Sequence, residues 1–199
     1  MAGEIQLNGT SFASESSGTI TVNNGTLGSS VVFPAGHVIQ TVQHVTTSTA
    51  SITSTNTNTF ASFSTAFKKG ITPIKTNSNI LIFISMNVGH NDATIHLQLF
   101  RDGSVITGSI GDLDGSKLRS NAAIRYNSSP YGLAVNNINF NFLDSPTISD
   151  PPTAIEYEIK ATAGATYSET FYLNRSADDN NADFASRTSS TITLMEVAG

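Results

Sequence analysis

The chain has 199 residues, of which 13% are charged, and its net charge at pH 7 is −5. Globular proteins average about 25% charged residues, so Ser, Thr and Asn must supply much of the polar surface here. Phosphate binding needs clustered Lys and Arg, so this acidic chain is not expected to bind nucleic acid. No apolar run approaches the ~20 residues that span a bilayer, so no membrane partner is expected.

The length fits one large β domain or two small ones, and a chain of this size buries roughly 70% of its unfolded surface without crosslinks. The absence of cysteine excludes a disulfide framework and a cysteine metal site. Residues 1–6 lack a basic region and an apolar core, so no signal peptide is expected. Neutral hydroxyls and amides cost less to desolvate than charges. The composition therefore suits an extracellular structural β-protein or a protein that sits in a permanent assembly, and of these the assembly is favoured over a plain β-rich composition.

Residues 1–30 carry few large apolar side chains, and we predict that they form an N-terminal docking arm. Ile20 and Val22 alternate with Thr in residues 18–22, which predicts a short strand, and the Asn-Gly pair that follows predicts a turn. This segment has too little apolar surface to fold alone. We expect it to lie on its own domain or on a neighbouring molecule, so Ile20 and Val22 are candidate interface residues.

Residues 31–199 are predicted to form one β domain. The run at 80–84 is apolar throughout, which predicts a central strand buried on both faces. The Asp-Gly turn at 102–103 predicts a hairpin, and the Ser/Thr/Asn-rich run at 46–59 predicts the tip of a long hairpin. Alternating apolar and polar residues predict the other strands, at 38–45, 95–100, 137–142, 155–161, 167–173 and 191–197.

These segments amount to about eight main strands, and no segment shows helical periodicity with caps. The predicted fold class is all-β: a two-sheet antiparallel sandwich, jelly-roll-like, with an extended N-terminal arm. Residues 191–197 alternate and are rich in β-branched side chains. Their apolar face is covered only if this last strand pairs deep in a sheet.

The histidines and acidic loops do not form a recognisable metal site. His37, His44, His90 and His96 lack the spacing of metal ligands, so partly buried structural histidines are expected. The Asp112–Gly115 segment has no Glu eight residues after its glycine, so we interpret it as a turn rather than a calcium loop. An acidic surface loop at 178–183 is the other position where a hard cation could bind. We predict no metal and no cofactor.

The chain also lacks a convincing catalytic pair. Glu156 and Glu158 share the outer face of one strand beside Lys160, which indicates a solvated face rather than the two carboxylates of a glycosidase. Asp144 precedes Ser145-Pro146 and looks like a turn former. We therefore predict that the protein is not an enzyme.

An asparagine stripe is the most site-like feature of the sequence. Asn137, Asn139 and Asn141 point to one side of a predicted strand whose other side is Ile138, Phe140 and Phe142. Three amides on one face could bind sugar hydroxyls, could form a ladder across a subunit interface, or could simply face solvent. With Ile20 and Val22, the three asparagines complete the set of candidate interface residues.

Several segments, in order, resemble structural proteins of tailed phages, especially phages of aquatic bacteria. They include Val32-Phe-Pro-Ala-Gly-His-Val-Ile-Gln40, Ile71-Thr-Pro-Ile-Lys-Thr-Asn-Ser-Asn-Ile-Leu-Ile82, Phe100-Arg-Asp-Gly-Ser104, Leu143-Asp-Ser-Pro146 and the ending from Tyr172 to Val197. The resemblance covers residues 25–197 and implies a trimer-forming jelly roll of the tail-fibre or decoration type. The family brings no catalytic residues.

The resemblance implies a non-enzymatic virion protein. A compact domain with a short arm favours a homotrimeric capsid decoration (cement) protein, whose partners are its own copies and the major capsid protein or another virion protein. The alternative is a tail-fibre or tail-tip receptor-binding protein with a lectin-like module, although a chain without Trp and with five Tyr offers few aromatic rings for sugar stacking. A polysaccharide-degrading enzyme is disfavoured.

Overall fold

The structure, a computed structural model, describes residues 3–7, 10–17, 19–22, 32–55, 58–63, 67–91, 93–125, 132–164 and 168–199. The chain forms two compact units, Met1–Phe33 and Pro34–Gly199. The described residues contain no α-helix, and Thr107–Ser109 form a 3-10 turn. Within those residues, no helix has the length and hydrophobicity needed to cross a membrane.

The first unit is a three-stranded antiparallel sheet. Its strands are β1 (Gly3–Leu7), β2 (Thr10–Ser16) and β3 (Thr19–Val22), with β2 in the middle. The strand predicted at residues 18–22 is confirmed as β3, whereas β1 and β2 were not predicted. The predicted Asn-Gly turn after β3 lies outside the described residues.

The second unit is a sandwich of two antiparallel sheets. In the first sheet β12 pairs with one edge of β8, whereas β15 and β14 pair one after the other with its opposite edge. Further out, β4 pairs with β15 and β5 pairs with β14. In the second sheet β9 and β13 are central. The strands of the first sheet are β4 (Val38–Thr46), β5 (Ala50–Thr55), β8 (Asn79–Gly89), β12 (Val135–Asp144), β14 (Ser168–Leu173) and β15 (Ser190–Val197). Those of the second are β6 (Ala61–Ser62), β7 (Lys68–Ile71), β9 (Ile95–Arg101), β10 (Ser104–Val105), β11 (Ala122–Ile124) and β13 (Ile155–Thr162).

The pairing is nested in the manner of a jelly roll. The outermost strands β4 and β15 pair with each other, and inside them β13 pairs with β6 and β7. Next, β8 pairs with β12, and innermost β9 pairs with β11. A chain folded double and rolled into two sheets has this order. The predicted jelly-roll-like sandwich is therefore confirmed, with the β5–β14 pair as an addition to the first sheet.

The core lies between the two sheets. Alternate residues of β8, from Ile80 to Val88, are buried, and they belong to one cluster with the inward residues of β9, β13 and β15. Burying each such aliphatic side chain contributes about 1.5–3 kcal/mol. The last strand β15 pairs with both β4 and β8. The expectation that it lies deep in a sheet is confirmed.

Two expectations about the sandwich are wrong. The apolar run in β8 is not buried on both faces, because Phe83 is 39% exposed on the outer side of the sheet. The run at 46–59 is not a hairpin tip, since β4 and β5 do not pair with each other: β4 pairs with β15, and β5 follows it along the same side of the sheet and pairs with β14. The Thr-rich sequence therefore predicted a strand here correctly, but it could not predict which strand β5 pairs with. The Asp-Gly hairpin is confirmed: Asp102 and Gly103 have φ of 47° and 80°.

Candidate assembly surface

The outer side of the first sheet is the most distinctive surface of the second unit. Burial alternates along every strand of this sheet, so one set of side chains fills the core and the other faces outward. None of the outward side chains on these described strands is charged. We call this surface the neutral face; its members are Thr41, Gln43, Val45, Ser51, Thr53, Thr55, Leu81, Phe83, Ser85, Asn87, Asn137, Asn139, Asn141, Leu143, Ser168, Thr170, Tyr172, Thr191, Thr193 and Met195.

Many polar groups of the neutral face bond to each other. Gln43 Nε2 donates to Thr193 Oγ1 at 2.8 Å, and the hydroxyls of Thr53 and Thr170 are 2.9 Å apart. Because these side chains already have partners, covering the face costs less than covering groups that depend on water.

The asparagine stripe extends this bonding along the sheet. Asn139 Nδ2 donates to Asn137 Oδ1, and Asn137 Nδ2 donates to Asn87 Oδ1 at 3.1 Å. Asn87 Nδ2 in turn donates to the Ser189 carbonyl at 2.6 Å. The predicted stripe therefore exists as an amide chain within one molecule. Asn141 has no side-chain hydrogen bond among the described residues and keeps its amide available.

Apolar side chains lie at the middle and ends of the neutral face. Phe83 sits opposite Asn141 in the β8–β12 pair, and Leu143 sits opposite Leu81. Leu143 and Val45 are 51% and 53% exposed. Beside the Phe83 ring is an open groove of about 310 Å³, lined by Phe83, Ser85, Asn139, Asn141 and Thr191 among others. An uncharged surface with exposed apolar residues is suited to permanent protein contact.

The outer side of the second sheet has the opposite character. Lys68 Nζ lies 3.0 Å from Glu156 Oε1, and Lys160 Nζ lies 3.7 Å from Glu158 Oε2. The Lys160 ammonium also lies 4.5 Å from the centre of the Phe100 ring. Glu156 and Glu158 lie on the outer side of the strand beside Lys160, as predicted, but only Glu156 is well exposed; the Glu158 side chain is 14% exposed. Charge is thus segregated onto one of the two sheet faces.

Ile20 and Val22 belong to the first unit. Both lie in β3, where Ile20 pairs with Glu15 of β2 and Val22 pairs with Ala13. Their side chains lie outside the described part of the chain, and their interface role stays a prediction.

His90 and His96 are at least partly buried, as predicted for structural histidines. His90 is buried against Phe171 with ring centres 6.2 Å apart, and Asn136 Nδ2 lies 3.4 Å from its Nε2. Burial lowers the pKa of His90, which nearby Glu169 partly offsets, and burial also lowers the pKa of His96. The Nδ1 atoms of both rings are buried and have no hydrogen-bond partner among the described residues.

No group of three or more metal-ligating side chains converges in the described part of the chain. In the acidic loop, Asp179 pairs with Arg187 at 2.5 Å and Arg175 at 3.7 Å. Asp178 accepts hydrogen bonds from the backbone and side chain of Asn180. In the other loop, Asp114 pairs with Lys117. These carboxylates are engaged by the chain itself rather than gathered around a cation position.

The exposure of Phe83 is the functional feature that sequence interpretation missed. The sequence further along β8 does indicate this exposure, because the next residues on the same side of the strand are the polar Ser85 and Asn87. Two polar residues at that spacing indicate a face that is not covered by a second layer.

No family model and no curated protein matches the chain. Among solved structures it is similar to the structure of infectious bursal disease virus Gt strain, with a TM-score of 0.38 and 13% identity over 89% of this chain and 43% of that one. The structure of the Gx strain matches with a TM-score of 0.35 and 14% identity, over 81% of this chain and 37% of that one. The crystal structure of the VP2 subviral particle of that virus matches with a TM-score of 0.29 and 14% identity, over 89% of this chain and 42% of that one. The chain spans less than half the length of each of these.

Proposed function

We propose that this protein is a non-enzymatic structural subunit of a virion, which holds other subunits by adhesion. The observation that carries the proposal is the neutral face, whose outward strand residues are all uncharged; the one charged group that contacts a member of it among the described residues is Arg175, whose guanidinium stacks on the Tyr172 ring at 3.9 Å. Desolvating a charge costs far more than desolvating an amide or hydroxyl that is already hydrogen-bonded. Such a surface suits a subunit whose face is covered for the lifetime of an assembly.

The fold is compatible with this role by analogy only. Jelly rolls occur in viral capsid proteins and in lectins, and the sequence resemblance to tailed-phage virion proteins favours the first use. Because a fold does not determine a function, the surface chemistry and the resemblance together support the proposal.

The proposed assembly is a homotrimer that decorates the capsid, with the neutral face at the contact between copies. Four strands at about 4.8 Å spacing and roughly 30 Å length give an area on the order of 600 Å². Stable interfaces bury about 800 Å² per partner, so this face supplies most of what one contact needs.

Residues 1–30 are proposed to dock this trimer onto the major capsid protein or another virion protein. β3 is an edge strand of the first unit, and Ile20 and Val22 lie on it. An edge strand can add to a sheet of a partner. Deleting residues 1–30 should leave a trimer, measured by light scattering, that no longer sediments with phage heads. Unchanged sedimentation with heads would refute the docking role.

A receptor-binding tail-tip protein is the second candidate, and the groove beside Phe83 favours it. One aromatic ring flanked by Asn139 and Asn141 could contact a neutral sugar through stacking and amide hydrogen bonds. Binding of the purified protein to a glycan array, lost in Phe83→Ala, would favour this function. Head binding in the preceding experiment would favour decoration.

A further inference from the structure

Strand β12 presents a long open edge. Its residues pair with β8 in an unbroken register from Val135 opposite Gly89 to Asp144 opposite Ile80. Within the described part of the chain, β12 has no strand partner on its other side. An unpaired edge of this length is a template for another strand.

Most other edges of the sandwich are short or interrupted, and the six-residue strand β5 is a further edge without a second strand partner among the described residues. β9 and β13 are flanked by strands of two, three, two and four residues, namely β10, β11, β6 and β7. The β4–β15 pairing has a register shift between Glu196 and Val197, and Gln40 Nε2 of β4 bonds to the Thr72 carbonyl at 2.7 Å. Short strands, bulges and covering loops are the usual protection against unwanted pairing.

Among the described residues, β12 is ten residues long and its pairing with β8 has no register shift. Its sequence contains no Pro and no Lys, and its single charged residue, Asp144, is buried and bonded to Arg101. On the core side, Ile138 is 4% exposed whereas Phe140 and Phe142 are only half-buried. A strand added at this edge would cover the open sides of those two rings.

We propose that β12 pairs antiparallel with β12 of a second copy, about a two-fold axis at Asn139. In this register Asn139 faces itself, Asn137 faces Asn141, and Ile138 faces Phe140. An amide carries both a donor and an acceptor, so the stripe is complementary to itself. The pairing brings no like charges together, and it joins the first sheets of two molecules into one. Two-fold contacts of this self-complementary kind are the commonest in homo-oligomers.

The two-fold pairing adds to the proposed trimer and does not depend on it. A two-fold contact cannot close a ring of three, so in a trimeric decoration protein it would join neighbouring trimers. The pairing is a property of the purified chain. Its tests therefore need no virion, and they can fail or succeed independently of the virion role.

Disulfide trapping gives a direct test, because the chain has no native cysteine. Asn139→Cys alone should form a disulfide-linked dimer under mild oxidation, since facing Cβ atoms of paired strands are about 4.5–5.5 Å apart. Sheets stacked face to face lie about 10 Å apart, too far for this bond. Thr193→Cys, on the same face but on strand β15, which is paired on both sides, is the matched control and should stay monomeric on a denaturing gel.

A charge exchange tests the same register without crosslinking. Asn139→Lys and Asn139→Glu should each weaken the β12 contact more than about tenfold, because like charges would face each other. An equimolar mixture of the two should recover it as a mixed dimer. Both variants should keep the wild-type circular dichroism, since residue 139 is exposed.

Two results would each overturn the proposal. The first is an Asn139→Cys chain that stays uncrosslinked; if its mixture with Thr21→Cys then crosslinks, β3 of another copy is assigned to this edge instead. The second is a mixture of the Lys and Glu variants that associates no better than either variant by itself.

Discussion

Asp144 accepts a hydrogen bond from the Tyr157 hydroxyl at 2.7 Å, and this buried contact joins the two sheets of the sandwich. The same carboxylate accepts hydrogen bonds from Arg101 Nη1 at 2.7 and 2.8 Å. Asp144 ends β12 in the first sheet, whereas Arg101 and Tyr157 lie on β9 and β13 of the second. Burial raises the pKa of Tyr157 far above its ordinary value, and the bond to Asp144 raises it further. The phenol therefore stays a donor, and the interpretation of Asp144 as a turn former is wrong.

Removing the shared acceptor should cost more than removing one donor. We expect Asp144→Ala to lower the free energy of unfolding by about 2–4 kcal/mol, because it leaves a buried hydroxyl and a partly buried guanidinium without their partner. Tyr157→Phe should cost about 1 kcal/mol, since the carboxylate keeps Arg101. Urea unfolding of both single variants and the double variant measures these values. Equal losses in the two single variants would contradict the shared role of Asp144.

A second buried carboxylate fixes a loop to the last strand. Glu196 of β15 is fully buried and accepts hydrogen bonds from the backbone N–H groups of Ile74 and Lys75 at 2.9 and 3.0 Å. The Ser78 hydroxyl and Gln40 Nε2 donate to it at 2.7 and 2.6 Å. Four groups from two other segments therefore meet at one side chain.

Glu196→Gln is expected to destabilise the protein although it is nearly isosteric. The amide has one acceptor oxygen, and its NH₂ group faces donors that the second carboxylate oxygen now accepts. We expect a loss of about 2 kcal/mol or more, with faster amide exchange at Ile74 and Lys75. Hydrogen exchange by NMR measures the local effect. Wild-type exchange at those two amides would contradict a fixing role for Glu196.

The outline of the fold could be predicted because strand alternation is a local property. Residues 155–161 and 137–142 alternate with period two, and the structure buries their apolar side. The partners of the polar side chains could not be predicted in the same way. Asn174 has φ of 60° and donates to the Thr46 carbonyl 128 positions away, and Ser190 Oγ donates to Asn174 Oδ1. Only the nested strand order brings these groups together.

The candidate surface shows the same division between local and distant information. Composition indicated a surface low in charge, but it could not show that the outward side chains of one sheet are uncharged whereas those of the other sheet include charged residues. That result depends on which strands are neighbours: Asn141 of β12, Phe83 of β8 and Thr193 of β15 form one row across the sheet. The alternation of β12 correctly predicted that its asparagines point outward. The exposure of the Phe83 ring beside them could be predicted only with the strand order of the sheet.

We predict that the protein loses stability in mild acid because of two histidines that are at least partly buried. The pKa values of His90 and His96 are lowered by burial from the ordinary value of 6.5. The unfolded chain therefore binds protons below pH ~6.5 that the folded chain does not bind. As a result, the free energy of unfolding decreases as the pH is lowered through that range. Ordinary carboxyl groups titrate below about pH 5, so the window between pH 6.5 and 5 isolates the histidines. The slope there should decrease in His90→Gln and again in the double variant with His96→Gln; a slope unchanged in both would contradict this assignment.

Placing one charge on the neutral face should separate assembly from folding. We expect Phe83→Lys to keep the fold, because the ring is already partly exposed and a lysine stem can cover the same apolar surface. Self-association should weaken by more than about tenfold, since assembly would bury an unpaired ammonium. Ser104→Lys adds the same charge to the second sheet, where Ser104 is exposed, and should associate as the wild type does. Sedimentation over a concentration series, with circular dichroism for folding, distinguishes the two. If both variants lose association equally, net charge rather than the neutral face controls assembly.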